Sequence, residues 1–209
     1  MSGESQRHFH EELGNVKVRL LTMSGEAEAA LGLAVEALLQ RDGTKALQVI
    51  QGDRVIDDLE LELEKQCISL LALQQPMARD LRMLTSALKI ANDLERVGDH
   101  AVNIAQSAER LAESRPIVPE PEIIEMARLT RQMLSDAIEA FIRGDAAAGR
   151  EICRRDDKVD ALHGSIFRIL LTHMMEDPHN IGSGMELFLV SRNLERVADL
   201  ATNIAEDVV

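Results

Sequence analysis

Residues 94–105 read LERVGDHAVNIA and residues 194–205 read LERVADLATNIA, nine identities in twelve positions at an offset of 100. Upstream, VEALLQRD at 35–42 faces IEAFIRGD at 138–145 at an offset of 103. At that second offset Asp53, Ile56, Asp57 and Leu59 face Asp156, Val159, Asp160 and Leu162. An internal duplication restricts the fold severely, because each half has to build the same unit and the two units have to meet. The period is longer and the copies fewer than in solenoid arrays.

Composition says what the unit is made of. Aromatic residues are 2% of the chain, with no Trp and no Tyr, so a β-sandwich or barrel core is short of its usual material. Leu, Ile, Val, Met and Ala have to fill the interior, and they suit helices. Apolar positions such as Leu13, Val16, Leu20, Met23, Ala27 and Leu31 fall at three- and four-residue steps. The five prolines, at 76, 116, 119, 121 and 178, lie between such segments rather than inside them.

The reading is therefore six helices, at about 4–41, 45–73, 75–113, 122–143, 146–176 and from 185 to the end. Turns fall at Asp42-Gly43-Thr44 and Gly144-Asp145, and a loop, DPHNIGSG, is expected over 177–184. Residues 114–121, SRPIVPEP, cannot be helical throughout and form the linker. The expected fold is all-α: two tandem three-helix bundles, residues 1–113 and 122–209, related by a pseudo-twofold internal repeat.

The net charge of -13 repels phosphate backbones and anionic lipid, which sets aside nucleic acid and direct membrane binding. No apolar run approaches the roughly 18 residues of a membrane span. The polar N-terminus has no secretory h-region, and Cys67 and Cys153 read as reduced thiols, so a cytoplasmic protein is expected. What the charge favours is hard cations, which take oxygen ligands.

Glu95, Asp99 and Asn103 are spaced i, i+4 and i+8, and Glu195, Asp199 and Asn203 repeat them. On the helix before each, Asp53 with Asp57 and Asp156 with Asp160 are again i, i+4. Carboxylates brought this close repel one another, and a cation relieves the repulsion. Arg96 and Arg196 are expected to orient or pair with them. A lone E-x-x-x-D is ordinarily a solvated helix face. Its recurrence in both halves, inside the best-matched block, favours a metal site in each.

The histidines add little. His100 is Leu200 in the other copy, so it reads as a surface or inter-helix residue. His163 follows Asp160 by three and is an auxiliary-ligand candidate, with Glu60 in its place in the first half. Glu176-x-x-His179 contains Pro178 and reads as loop. The paired E-x-x-H set of a di-iron enzyme, the nucleophile elbow and the phosphate-binding glycine motifs are all absent, so no catalytic role is expected. Arg79 and Arg82, in QPMARDLR at 75–82, read either as helix-start residues paired with acids or as a contact surface for a partner protein.

QQPMARDLR at 74–82, LERVGDHAVNIA at 94–105, LERVADLATNIAEDV at 194–208 and FHEEL at 9–13 together resemble the PhoU family over essentially the whole chain. The resemblance implies two three-helix bundles with surface metal clusters on Asp53 and Asp57, Glu95 and Asp99, Asp156 and Asp160, and Glu195 and Asp199. The metal ions would be divalent or trivalent, with Fe, Zn, Mn and Mg all open. It implies a non-enzymatic negative regulator of phosphate-starvation signalling and phosphate uptake. Its partners would be the sensor histidine kinase of the phosphate response and the ATPase subunit of the phosphate ABC transporter, with homodimerisation left open. Two departures stand out: Leu200 where His often follows the second motif, and a chain that ends at Val209 soon after that motif. A metal-dependent hydrolase or oxidase, or a purely structural scaffold, are the alternative readings.

Overall fold

A computed structural model describes residues 3–74, 76–114 and 121–208, with side chains from residue 7 onward. Most of the linker, together with Gln75, lies outside the described residues. Among the described residues the chain is helical, with no strand. The elements are α1 (Gly3–Gln40), α2 (Gly43–Gly52), α3 (Arg54–Gln74), α4 (Ala78–Glu113), α5 (Pro121–Arg143), α6 (Ala146–Glu176), a 3-10 turn (Pro178–Asn180) and α7 (Ile181–Glu206).

Each half packs its long last helix against the others. α4 lies on α1, α2 and α3, and α7 lies on α5 and α6. The halves join through α4 against α7 and α1 against α5. Contacts between α4 and α7 run antiparallel: Arg110 meets Glu186, His100 meets Asn193 and Lys89 meets Asp207. That is the arrangement a twofold axis between them produces. Because α4 is covered on two sides it carries small buried residues, Ala87, Ala91, Gly98, Ala101, Ala105 and Ala108, beside Leu84, Ile90, Leu94 and Ile104. Fully burying each such Leu or Ile contributes roughly 1.5–3 kcal/mol. Both cysteines are free, and burial pushes the Cys67 thiol up to about 11.

The first turn of each half is built alike. The Asp42 amide donates to Ala37 O and the Asp145 amide to Ala140 O, both 2.9 Å, closing six-residue loops at the ends of α1 and α5. The residue before each aspartate is left-handed: Arg41 at φ 54° and Gly144 at φ 67°. Each aspartate then caps the next helix. Asp42 accepts from the Thr44 and Lys45 amides, and Asp145 from those of Ala147 and Ala148.

Two expectations need correction. The second helix is not continuous from 45 to 73: it breaks at Asp53, after Gly52, into α2 and α3. Glycine is the residue that a helix interior holds least well after proline. The expected loop at 177–184 is mostly helical, because Asp177 caps the Pro178 turn through the His179 amide and α7 starts at Ile181. Gly184 serves packing rather than a turn. A Cβ there would lie 2.5 Å from Met174 Cε, so the glycine lets α7 approach the end of α6.

Candidate metal centre

The first carboxylate field forms where the α2–α3 joint meets α4. Asp57 sits in the first turn of α3, where the helix dipole favours a negative charge. Gly98 sets the approach. A Cβ at this position would lie 2.9 Å from Ile56 Cδ1 and 3.2 Å from Asp53 Oδ1. The bare backbone thus admits Asp53 beside the α4 face that bears Glu95 and Asp99.

Electrostatics show which groups share this field. Burial raises the Asp53 carboxyl, and the charges of Asp57 and then Asp99 raise it further. Glu95 is raised by burial, then by Asp99, Glu60, Asp57 and Asp53. Glu60 itself is raised by burial, Glu64 and Asp57. Glu60, the counterpart of His163 in the other half, is therefore a fifth carboxylate of this field. Its signal was position: it follows Asp57 by three, one turn along the same face.

The second field lies between α6 and α7. Burial pushes Asp156 up to about 6, assisted by Asp160, Asp199 and Glu195. Arg196 Nη1 lies 3.0 Å from Asp199 Oδ2 and its Nε lies 3.6 Å from Glu195 Oε2, so this arginine pairs with the field as expected. Its counterpart does not. Arg96 turns to Asp93 at 3.7 Å, away from Glu95 and Asp99.

The structure thus brings together Asp53, Asp57, Glu95 and Asp99 in one field and Asp156, Asp160, Glu195 and Asp199 in the other. It places the two asparagines elsewhere. Asn103 is exposed and lines a groove between α4 and α7 with Arg96, His100 and Arg192, while Asn203 lines the opposite groove with Lys89, Asp93, Glu206 and Asp207. The reason is angular drift: at about 100° per residue, i+8 stands roughly 80° around the helix from i.

His100 is an inter-helix residue, its ring N–H donating to Asn193 Oδ1 at 2.9 Å. His163 bonds to Ser191 Oγ at 3.1 Å and stacks on Phe188, which turns it toward the α6–α7 packing. His179 faces Asp177 at 2.9 Å in the 3-10 turn.

Among the described residues, no three or more His, Cys, Asp or Glu side chains are already drawn close enough to hold a metal ion. Like charges on half-exposed helix faces spread their side chains apart. The chemistry of the donor set nevertheless fits a hard cation. Each field offers at least four carboxylates, all oxygen donors, from two rigid elements, and the raised carboxyls mark a charge that a cation would neutralise.

An all-α chain that repeats a three-helix unit, with a matched carboxylate field in each copy, defines a class: a duplicated helical-bundle protein built around two acidic clusters. The PhoU domain family matches this chain twice, over residues 20–108 and 123–208. The chain belongs to that family. It is 40% identical over 207 residues to the phosphate-specific transport system accessory protein PhoU homolog of Caulobacter vibrioides, covering 99% of this chain and 90% of that one. The PhoU homolog of Aquifex aeolicus is 40% identical over 185 residues, 88% of this chain and 84% of its own. The crystal structure of PhoU from Pseudomonas aeruginosa superposes with a TM-score of 0.91 at 36% identity, covering 96% of both chains. No helix among the described residues is long and apolar enough to cross a membrane.

Proposed function

We propose that this protein is a metal-binding regulatory adaptor of phosphate transport. It holds the sensor histidine kinase of the phosphate response in its repressing state while phosphate is plentiful, by coupling that kinase to the ATPase subunit of the phosphate ABC transporter. Support for the transport role comes from family membership and from relatives named as accessory proteins of a phosphate-specific transport system. Support for the metal role comes from one observation above all: the carboxylate field is duplicated, and in each copy burial and then the neighbouring carboxylates raise a half-buried aspartate, Asp53 in one and Asp156 in the other.

The ligands in this reading are Asp53, Asp57, Glu95 and Asp99, with Glu60 beside them, and Asp156, Asp160, Glu195 and Asp199. Asn103 and Asn203 open onto the grooves and stand outside the inner set. A bound cation supplies charge neutralisation at each field, and the protein's part is to hold the oxygens on stiff helices. The protein acts by contact rather than by catalysis.

The test is complementation. In a bacterium whose own PhoU-family gene is deleted, this chain should restore repression of a phosphate-starvation reporter in high phosphate. A chain with Asp99→Asn and Asp199→Asn, equally abundant and helical, should not. Full repression by the double variant would separate regulation from the carboxylates and leave them as solvated faces.

A further inference from the structure

The pseudo-twofold axis between α4 and α7 creates two equivalent grooves, one on each side, and their charges have opposite sign. One groove is lined by Lys89, Asn92 and Asp93 of α4 with Asn203, Glu206 and Asp207 of α7. At the offset of 100, the corresponding places in the other groove hold Leu189, Arg192 and Asn193 with Asn103, Gln106 and Ser107, and all six line it. Each of three acids in the first groove therefore has a neutral hydrogen-bonding residue in the second: Asp93 faces Asn193, Glu206 faces Gln106, and Asp207 faces Ser107. Arg96, Arg110 and Arg196 add to Arg192, so the second groove holds four guanidiniums and no carboxylate in its lining.

Helix packing does not require this. The same two helices form both grooves, and the three acids of one give way to neutral residues in the other. In a chain of net charge -13 a groove lined by four arginines and no carboxylate is an exception. Three of its arginines have acidic neighbours: Arg110 with Glu186 at 2.7 Å, Arg196 with Asp199 at 3.0 Å and Arg96 with Asp93 at 3.7 Å. Their side chains remain 52%, 49% and 50% exposed, so each guanidinium keeps donors turned to solvent. Arg192 has no ion-pair partner among the described residues.

We propose that this groove, about 480 Å³ in volume, binds a linear inorganic oligophosphate. Arginine presents planar paired donors that match phosphate oxygens, and Asn103 and Gln106 add neutral ones. The charges are strung out rather than gathered: Arg96 and Arg110 are 14 residues apart on α4, roughly 21 Å of helix axis. A single orthophosphate reaches only part of such a row, whereas linked phosphates run along it. No Phe, Tyr or Trp lines the groove, and the one imidazole there, His100, is held to Asn193 Oδ1 at 2.9 Å.

The experiment is calorimetric titration of the metal-free full chain with sodium tripolyphosphate at low salt, since tripolyphosphate would otherwise sequester any metal. One saturable site is expected. Arg192→Gln alone should weaken it at least fivefold, and Arg192→Gln with Arg110→Gln at least tenfold, with circular dichroism confirming that both variants are folded. Lys89→Gln in the opposite groove, and Arg79→Gln with Arg82→Gln at the start of α4, should leave it within twofold. Orthophosphate should bind at least tenfold more weakly, and ATP no more tightly than tripolyphosphate. The proposal is overturned by absence of saturable binding, by binding indifferent to Arg192 and Arg110, or by loss through Arg79 and Arg82 instead. Equal affinity for orthophosphate, tighter binding of ATP, or equal affinity for a poly-glutamate peptide of the same charge would each overturn the choice of ligand.

Discussion

At the turn between its first two helices each half places a left-handed residue and then a capping aspartate, but the first half uses Arg41 and the second uses Gly144. A left-handed arginine costs about 1–2 kcal/mol that a glycine does not. In the first half the guanidinium offsets this by donating to Ser114 O at 2.6 Å and Ala112 O at 3.3 Å, tying the turn to the end of α4. Eleven residues further on the contrast reverses. Gly52 ends α2 just before Asp53, while its counterpart Arg155 continues α6 without a break and pairs with Asp136 of α5. The helix face opposite changes in step: Gly98 stands against Ile56, whereas the second half has Ala198 where Ile56's counterpart is Val159, one methylene smaller. The repeat therefore preserves the carboxylates while the frame around them has drifted, with one field at a helix joint and the other on a continuous helix.

That contrast can be broken or sharpened by mutation. The largest effect should come from Gly144→Arg, which imposes the first half's residue without its carbonyl partners. It should lower stability by about 1–2 kcal/mol in chemical denaturation, and an unchanged midpoint would show that the turn carries no strain. A smaller gain is expected from Gly52→Ala, about 0.5–1 kcal/mol, because a Cβ there meets nothing within 4 Å and the joint gains helix propensity. Loss of stability would mean that the break at Asp53 is held for a reason other than glycine.

The smallest effect is a titration. Asp156 is raised from 3.8 to about 6 in the fold, so the folded state takes up a proton more readily than the unfolded chain. Its contribution to stability is fully present below 3.8 and is lost as pH rises through about 6. Asp53 and Glu95 act in the same direction. Glu125, held at about 2 by Arg128 and Lys158, acts oppositely and only below its ordinary 4.5. Metal-free protein should therefore melt higher at pH 5 than at pH 7, by roughly 2–4 °C for about 1 kcal/mol in a chain of this size. Asp156→Asn should flatten the difference, and a melting temperature that rises from pH 5 to 7 would contradict the repulsive field.

Much of this was legible in the residues. The duplication, the long helices and the pairing of Asp53, Asp57, Glu95 and Asp99 with their counterparts all follow from spacing, because one helix determines its own faces. What failed needed two helices. The break at Asp53 turns on Gly52, which periodicity alone passes over, and Gly184 reads as loop because its use is contact with α6. Glu60 joins the first field only once α3 lies against α4. Asn103 and Asn203 keep the i, i+4, i+8 register yet rotate onto grooves that exist only where α4 meets α7. The opposite signs of those grooves were present in the sequence at an offset of 100, but nothing in a single helix says that the two rows face each other.

The most direct measurement is elemental analysis of protein purified without chelator or affinity tag, compared with Asp99→Asn, Asp199→Asn and the double variant. The account predicts metal in the wild type, about half of it in each single variant and little in the double, with helicity nearly intact because exposed substitutions seldom cost much stability. A metal-free wild type, or a metal content that the double variant leaves unchanged, would contradict it.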